Sequence, residues 1–222
     1  MISKLSILCL SILFCGSVAW AADSAGNRKD SIIMLGMGGG IHPASIMAAP
    51  ARVAVILGDL TVGIDAGSGS PSYTSTGWTE TTGTYTNQGL NARYFFGNSF
   101  NASLGYHMRN FSGTTTATAY TLSNYGVTYQ IETFTMDAKT SVATIGIGNH
   151  WLMDWGLWIG GDWVLASGVL SQTKEVTSTG TTGSPSAAQL ASFKKNAEAA
   201  ADEMNAWSAS GGFAVFTIGF AF

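Results

Sequence analysis

The chain's histidines are the residues best suited to acid–base, nucleophile-activating or metal chemistry, and there are three among 222 residues. A lipid hydrolase would need one of them beside a serine and an acid. The sequence offers His107 with Ser112 and Glu132, or His42 with Ser45. Neither set is well supported. Alternation along its segment turns His107 inward and no serine follows it by two residues, while His42 stands beside Pro43 without an evident carboxylate. No His-x-His or His-Glu-x-x-His spacing is present to grip a metal. The run Met34-Leu35-Gly36-Met37-Gly38-Gly39-Gly40 invites comparison with a phosphate-binding loop, yet it has neither the lysine nor the following helix. The expectation is a protein that is not an enzyme and that holds no cofactor and no metal.

A second set of residues has a different character. Arg52, Asp65, Arg93, His107, Arg109 and Asp162 all fall on the polar side of segments whose alternate residues are apolar. Charges on the enclosed side of such segments must pair or be hydrated. The five charged members are expected to form one buried network, with His107 as a hydrogen-bonding member, that plugs the interior. A proton- or ion-conducting path is the competing reading.

The elements that carry these residues are strands. In Phe100-Asn101-Ala102-Ser103-Leu104-Gly105-Tyr106-His107-Met108-Arg109 the even positions are apolar and the odd ones polar or glycine. Such alternation gives one oily face and one wet face. The same pattern runs through Leu90, Ala92, Tyr94 and Phe96, through Ala143, Ile145 and Ile147, through Leu157, Ile159, Trp163 and Leu165, and through Phe216, Ile218, Phe220 and Phe222. Counting back from the C-terminus gives eight strands: 211–222, 155–168, 139–150, 100–113, 89–97, 60–67, 51–57 and 31–41. Short turns fall at Gly58-Asp59, Asn98-Ser99 and Met153-Asp154, and long loops at 68–88 and 171–210. A segment such as 100–110 would rise about 28 Å if tilted near 40°, enough for the apolar band of a membrane.

Composition decides whether the oily faces point in or out. The chain is 46% apolar but only 10% charged, with 28 glycines, against about 25% charge in soluble domains. A soluble sandwich would need a far more charged exterior. Glycines at 36, 38, 40, 63, 105, 146, 148 and 160 instead suit a crowded lumen. Aromatics gather at the short turns, with Tyr94, Phe95, Phe96 and Phe100 around one and Trp151 and Trp155 around another, as in the girdles of membrane barrels. No apolar run downstream of the N-terminus reaches the 18 residues of a membrane helix. Net charge is −3, which leaves no basic field for nucleic acid.

The N-terminus supplies the compartment. Lys4, the apolar stretch from Leu5 to Phe14 and the small-x-small Ala19-Trp20-Ala21 read as a secretory signal peptide over 1–21. Both cysteines, Cys9 and Cys15, leave with it. The exported part, 22–222, then has no disulfide, no thiol nucleophile and no thiolate metal ligand.

With its signal peptide, its size and its ending, the chain resembles the small eight-stranded outer-membrane barrels of the OmpA/OmpX-like or OmpW-like kind. The ending is Phe216, Ile218, Phe220 and the terminal Phe222. The resemblance implies an all-β, up-and-down antiparallel barrel in the outer membrane of a Gram-negative bacterium after Sec export. It also implies recognition of those last residues by the barrel assembly machinery, and contact with outer-membrane lipid and lipopolysaccharide. The role expected is structural or surface-interacting, adhesion-like, with a plugged polar lumen. The alternative is a narrow, porin-like pore or small hydrophobic-molecule conduit of the OmpW-like type.

Two exposed segments complete the reading. Thr114 to Thr135 reads as the projecting end of one long hairpin turning at Ser123-Asn124-Tyr125-Gly126, which would either offer an edge to a surface protein or stand as an inert surface loop; a further hairpin inside the membrane, giving ten strands, is the alternative that Asp137 and Lys139 argue against. Residues 184–207 read as an extracellular amphipathic helix with Leu190, Phe193, Ala197, Ala200 or Ala201, Met204 and Trp207 on its stripe. That stripe would fold over the barrel mouth, dock a partner or lie on the outer leaflet.

Overall fold

The structure, a computed structural model, describes residues 23–42, 45–70, 72–75, 79–123, 126–211 and 213–222. The expected signal peptide and the turn residues Asn124 and Tyr125 lie outside the described residues. In chain order the elements are α1 (Ser24–Asp30), β1 (Ile33–His42), β2 (Ser45–Leu57), β3 (Leu60–Gly69), β4 (Ser72–Ser75), β5 (Thr79–Phe96), β6 (Phe100–Ser123), β7 (Gly126–Leu152), β8 (Leu157–Thr182), α2 (Ala187–Ala209) and β9 (Phe213–Ala221).

All strand pairings are antiparallel, in the order β3-β2-β1-β9-β8-β7-β6-β5-β4, and β3 also pairs β5. That last pairing closes a ring. Eight strands form it, and β4 stands outside on the upper part of β5. Closure satisfies the backbone of the ring without leaving an edge at the level of the apolar band. The short turns and the C-terminus share one end of the ring, and each turn holds a glycine at positive φ: Gly58 at 65°, Gly97 at 77° and Gly156 at 91°. Only glycine takes that conformation without strain, so it sets where the chain reverses.

The faces are inverted relative to a soluble barrel. Along β3, Val62 and Ile64 are exposed while Thr61, Gly63 and Asp65 are buried. Leu35, Met37, Val53, Val55, Leu90, Leu104, Ile145, Leu165, Phe216 and Ile218 are likewise exposed, each retaining between 44% and 67% of its accessible surface. At the turn end Tyr94, Phe96, Phe100, Trp155, Phe220 and Phe222 are exposed, with Trp155 stacked edge-on to Phe220 at 6.0 Å. Phe95 and Trp151, expected in the same girdle, are buried. For Phe95 the reason is parity: it points to the lumen between two outward neighbours.

The strands run further than their hydrophobicity announces. The stretch read as a loop at 68–88 is mostly ladder: β3 pairs β5 as far as Gly69 with Tyr85, and β4 resumes the same register at Ser72 with Thr82. Similarly, 171–182 belongs to β8 and is paired with β7. Thr, Tyr and Val favour the extended chain whether or not lipid covers them. The ring is therefore lopsided. β6, β7 and β8 have 24, 27 and 26 residues whereas β1, β3 and β9 have 10, 10 and 9, so one side of the wall rises well above the other.

Candidate functional site

The lumen is filled at three levels. At the turn end, Met34, Ala54, Ile56, Phe95, Leu152, Trp158 and Ala221 form an apolar floor. Beneath it lies α1. Arg28 of this helix is fully buried, donating to the Asn98 carbonyl at 2.6 Å and the Gly97 carbonyl at 2.9 Å, with Asp59 at 3.4 Å and the Phe95 ring centroid 4.0 Å from its guanidinium carbon. Asn27 donates to the Leu152 carbonyl and to Asp154, and the Leu152 amide donates to Ser24 Oγ. A helix of 7 polar and small residues thus touches all three short turns. It has no apolar period, and sequence reasoning missed it; the one signal available was the Asp23 side chain, which caps the helix by accepting from the Gly26 amide.

Above the floor stands the charged network. Arg52 donates to Asp65 through Nε at 2.5 Å and Nη2 at 3.1 Å, to Asp162 at 3.2 Å and to Thr217 at 2.8 Å. Arg93 donates to Asp162 through Nη2 at 2.9 Å and Nε at 3.1 Å, and it also bonds Asn91, which itself donates to Asp65 at 2.7 Å. Two guanidinium groups face two carboxylates, so the cluster balances its charge. Paired, bidentate contacts of this kind are what make buried ions tolerable. The structure adds His150, whose Nε2 lies 2.9 Å from Asp162 Oδ1 while its Nδ1 accepts from Trp158 Nε1 at 2.8 Å. His150 was legible in principle, since it continues the inward parity of Gly146 and Gly148 by two residues.

The other two expected members, His107 and Arg109, differ in position. His107 borders the cluster, lining with Arg52, Asp65, Arg93 and Asp162 a cavity of about 50 Å³, room for a few waters at most. Its Nδ1 is buried without a hydrogen-bond partner among the described residues. Arg109, 1% exposed, sits above, with Nη1 donating to the carbonyls of Ser208 at 2.6 Å and Ser210 at 3.1 Å and Nε to Asn87 at 3.3 Å. Parity fixes which face a residue occupies but not its height, and height separates Arg109 from the carboxylates.

Those carbonyls are the end of α2, which forms the third level. Ser186 and Gln189 make a capping box at its start, each side chain accepting from the other's amide. Phe193, Ala197, Ala200, Ala201 and Met204 are buried against Tyr85, Phe111, Ala117, Phe134, Met136 and Ala138 on the inner face of the tall wall. Arg109 adds a cation at the helix's negative end. Asn205 bonds Thr140, and Lys174 pairs Asp202 at 2.6 Å. The oily stripe is therefore spent on the barrel, which removes partner docking and leaflet insertion as its roles; only Leu190 of the expected stripe is exposed. Deleting 186–206 is expected to leave the ring folded, with heat-modifiable gel migration retained, because no ring ladder uses these residues.

Glycines make room for the network. A Cβ on Gly148 would stand 2.6 Å from Asp162 Oδ1 and 2.6 Å from the Gly161 carbonyl, and one on Gly160 would stand 2.2 Å from His150 Nδ1. Gly148→Ala is expected to lower stability by about 1–3 kcal/mol through overpacking, read as an earlier urea midpoint in detergent.

The hairpin at 114–135 offers less edge than its sequence suggests. β5 pairs β6 as far as Ala117 and β8 pairs β7 as far as Ile131, so among the described residues 118–123 and 126–130 have no outer strand neighbour. Among the described residues the longer edge without a strand neighbour belongs instead to β8, which pairs β9 only as far as Val164 and whose Thr173 carbonyl accepts from Asn205 of α2. Of the hydrolytic sets, Ser112 is exposed on the outer face while His107 points inward, so the two do not meet. Among the described residues no group of three or more His, Cys, Asp or Glu is placed to hold a metal.

No family profile and no curated protein matches the chain. Among solved structures, the crystal structure of a major outer membrane protein from Thermus thermophilus is similar, at 13% sequence identity over 86% of this chain and 99% of that chain, with a TM-score of 0.41.

Proposed function

We propose that this chain is an integral barrel of a bacterial outer membrane, with a closed polar lumen and a raised wall presented at the cell surface for interaction. The observation that carries the reading is the inversion of polarity. Apolar side chains cover the outside of the ring while Arg52, Asp65, Arg93 and Asp162 lie buried within it. Water would penalise the first arrangement through some dozens of exposed apolar groups, and hydrocarbon favours it at about 0.8 kcal/mol per buried CH₂. Phe216, Ile218, Phe220 and Phe222, exposed together on one face at the end of β9, support recognition by an assembly machinery.

For the surface role, the support is the height of β6 to β8 and the edge of β8 beyond Val164, which no strand covers among the described residues and where an extended segment of a partner protein would add as a strand. A conduit for small hydrophobic molecules has less behind it, because the bore is polar, charged and covered at both ends. The test is expression of the full chain followed by membrane fractionation and gel migration with and without heating. The expected result is an outer-membrane band that migrates faster unheated; recovery in the soluble fraction would overturn the reading.

A further inference from the structure

The strands of the tall wall present, above their lipid-facing residues, a regular array that neither the lumen nor α2 uses. Thr82 on β5 lies opposite Thr114 on β6, Thr114 opposite Thr135 on β7, and Thr135 opposite Thr177 on β8. All four are exposed. They face outward, because Thr81, Tyr85, Thr115, Phe134 and Met136 of the opposite parity are buried. A transverse row of four hydroxyls thus crosses four strands at about 4.8 Å spacing. The row below it holds Thr84, Ser112, Asp137 and Glu175, and the one below that Thr86, Asn110, Lys139 and Thr173.

The same outward face, followed down the same strands, becomes Leu90, Met108, Ile145 and Leu165. From Leu90 to Thr82 is eight residues, a rise of about 20 Å at the usual strand tilt. Continuity places the row beside the membrane, looking sideways into whatever stands on the leaflet rather than up into solvent. Phosphate is a poor match for its chemistry. Asp137 and Glu175 stand opposite each other in the row beneath, and Lys139 is the one basic residue on the outward face of those three rows. The threonine row itself carries no charge; Thr135 Oγ1 donates to the Thr177 carbonyl at 3.3 Å, and hydroxyls, which both donate and accept, match the hydroxyls of a sugar.

We infer that this threonine face is a contact surface for the saccharide portion of the glycolipid in the outer leaflet. The inference rests on the outer-membrane reading. The hydroxyls exchange water for sugar partners along the row, and the rigid ladder holds them at fixed spacing, so little ordering is lost on contact.

The experiment uses the full mature chain in nanodiscs of phospholipid mixed with lipopolysaccharide carrying its complete core sugars, or with lipid A alone. Wild type is compared with the fourfold variant Thr82→Val, Thr114→Val, Thr135→Val, Thr177→Val, which keeps shape and strand preference but removes the hydroxyls. Wild type is expected to unfold about tenfold more slowly in the sugar-bearing discs than in the lipid A discs, at equal temperature and urea, and the variant to lose most of that difference. An unchanged sugar-dependent slowing in the variant, or none in wild type, overturns the proposal. Heat-modifiable migration of both proteins, measured in the same samples, would show that the barrel reading stands even then.

Discussion

Asp162→Ala is expected to cost about 3–5 kcal/mol of stability, the scale for removing one partner of a buried ion pair. Asp162 is the hub: it accepts from Arg93 at 2.9 and 3.1 Å and from Arg52 at 3.2 Å, and it meets His150 at 2.9 Å. Without it Arg52 still holds Asp65 by two bonds, whereas Arg93 retains only Asn91. The unpaired charge in a closed bore is then that of Arg93. The double variant Asp162→Ala with Arg93→Ala restores the balance of one cation to one anion, and it is expected to recover part of the loss. A cycle of the two single variants and the double, read by urea unfolding in detergent, gives the coupling directly. Additive losses would mean that the two residues do not act as a pair.

The second large effect concerns the other end of the molecule. Arg28→Ala is expected to cost about 3 kcal/mol, from two charge-assisted bonds to turn carbonyls and a cation–π contact. Desolvation by burial holds the guanidinium pKa below its ordinary value, with the hydrogen bond and charge of Asp59 acting against that shift. The site that receives α1 is composite: Asp59 comes from the β2–β3 turn, Gly97 and Asn98 from the β5–β6 turn, and Leu152 and Asp154 from the β7–β8 turn. Ring closure is what brings these turns together, so α1 stabilises the closed barrel selectively. Arg28→Lys supplies a charge without the planar fork and is expected to fall between wild type and alanine. Unfolding midpoints in detergent measure all three, and equal midpoints for wild type and Arg28→Ala would remove α1 from the account of stability.

The sequence was most readable where an apolar outer face and a polar lumen face alternate along one strand. Alternation around Phe100 to Arg109 and at Phe216 to Phe222 exposes both the strand and its orientation, which is why Arg52, Asp65, Arg93, His107, Arg109 and Asp162 could be assigned to the interior. Above the apolar band the outward face becomes threonine and serine, alternation fades, and segments such as 171–182 read as loop although they are ladder. α1 was invisible for a related reason: seven residues with no apolar period give nothing to detect, and what fixes the helix is tertiary contact with turns far away in sequence. Arg109 illustrates the remaining gap. Its face was legible, but its partners are carbonyls of Ser208 and Ser210 some hundred residues distant, and no local pattern encodes that pairing.

These parts meet in one claim, that the bore is blocked by the apolar floor and α1 below, by the carboxylate–guanidinium cluster in the middle, and by α2 above. Single-channel recording in a planar bilayer tests it most directly. The intact barrel, residues 22–222, is expected to give no stable openings, and removal of 186–206 alone is expected to leave it closed, since the cluster and the floor remain. Stable, well-resolved conductance steps from the intact protein would contradict the account.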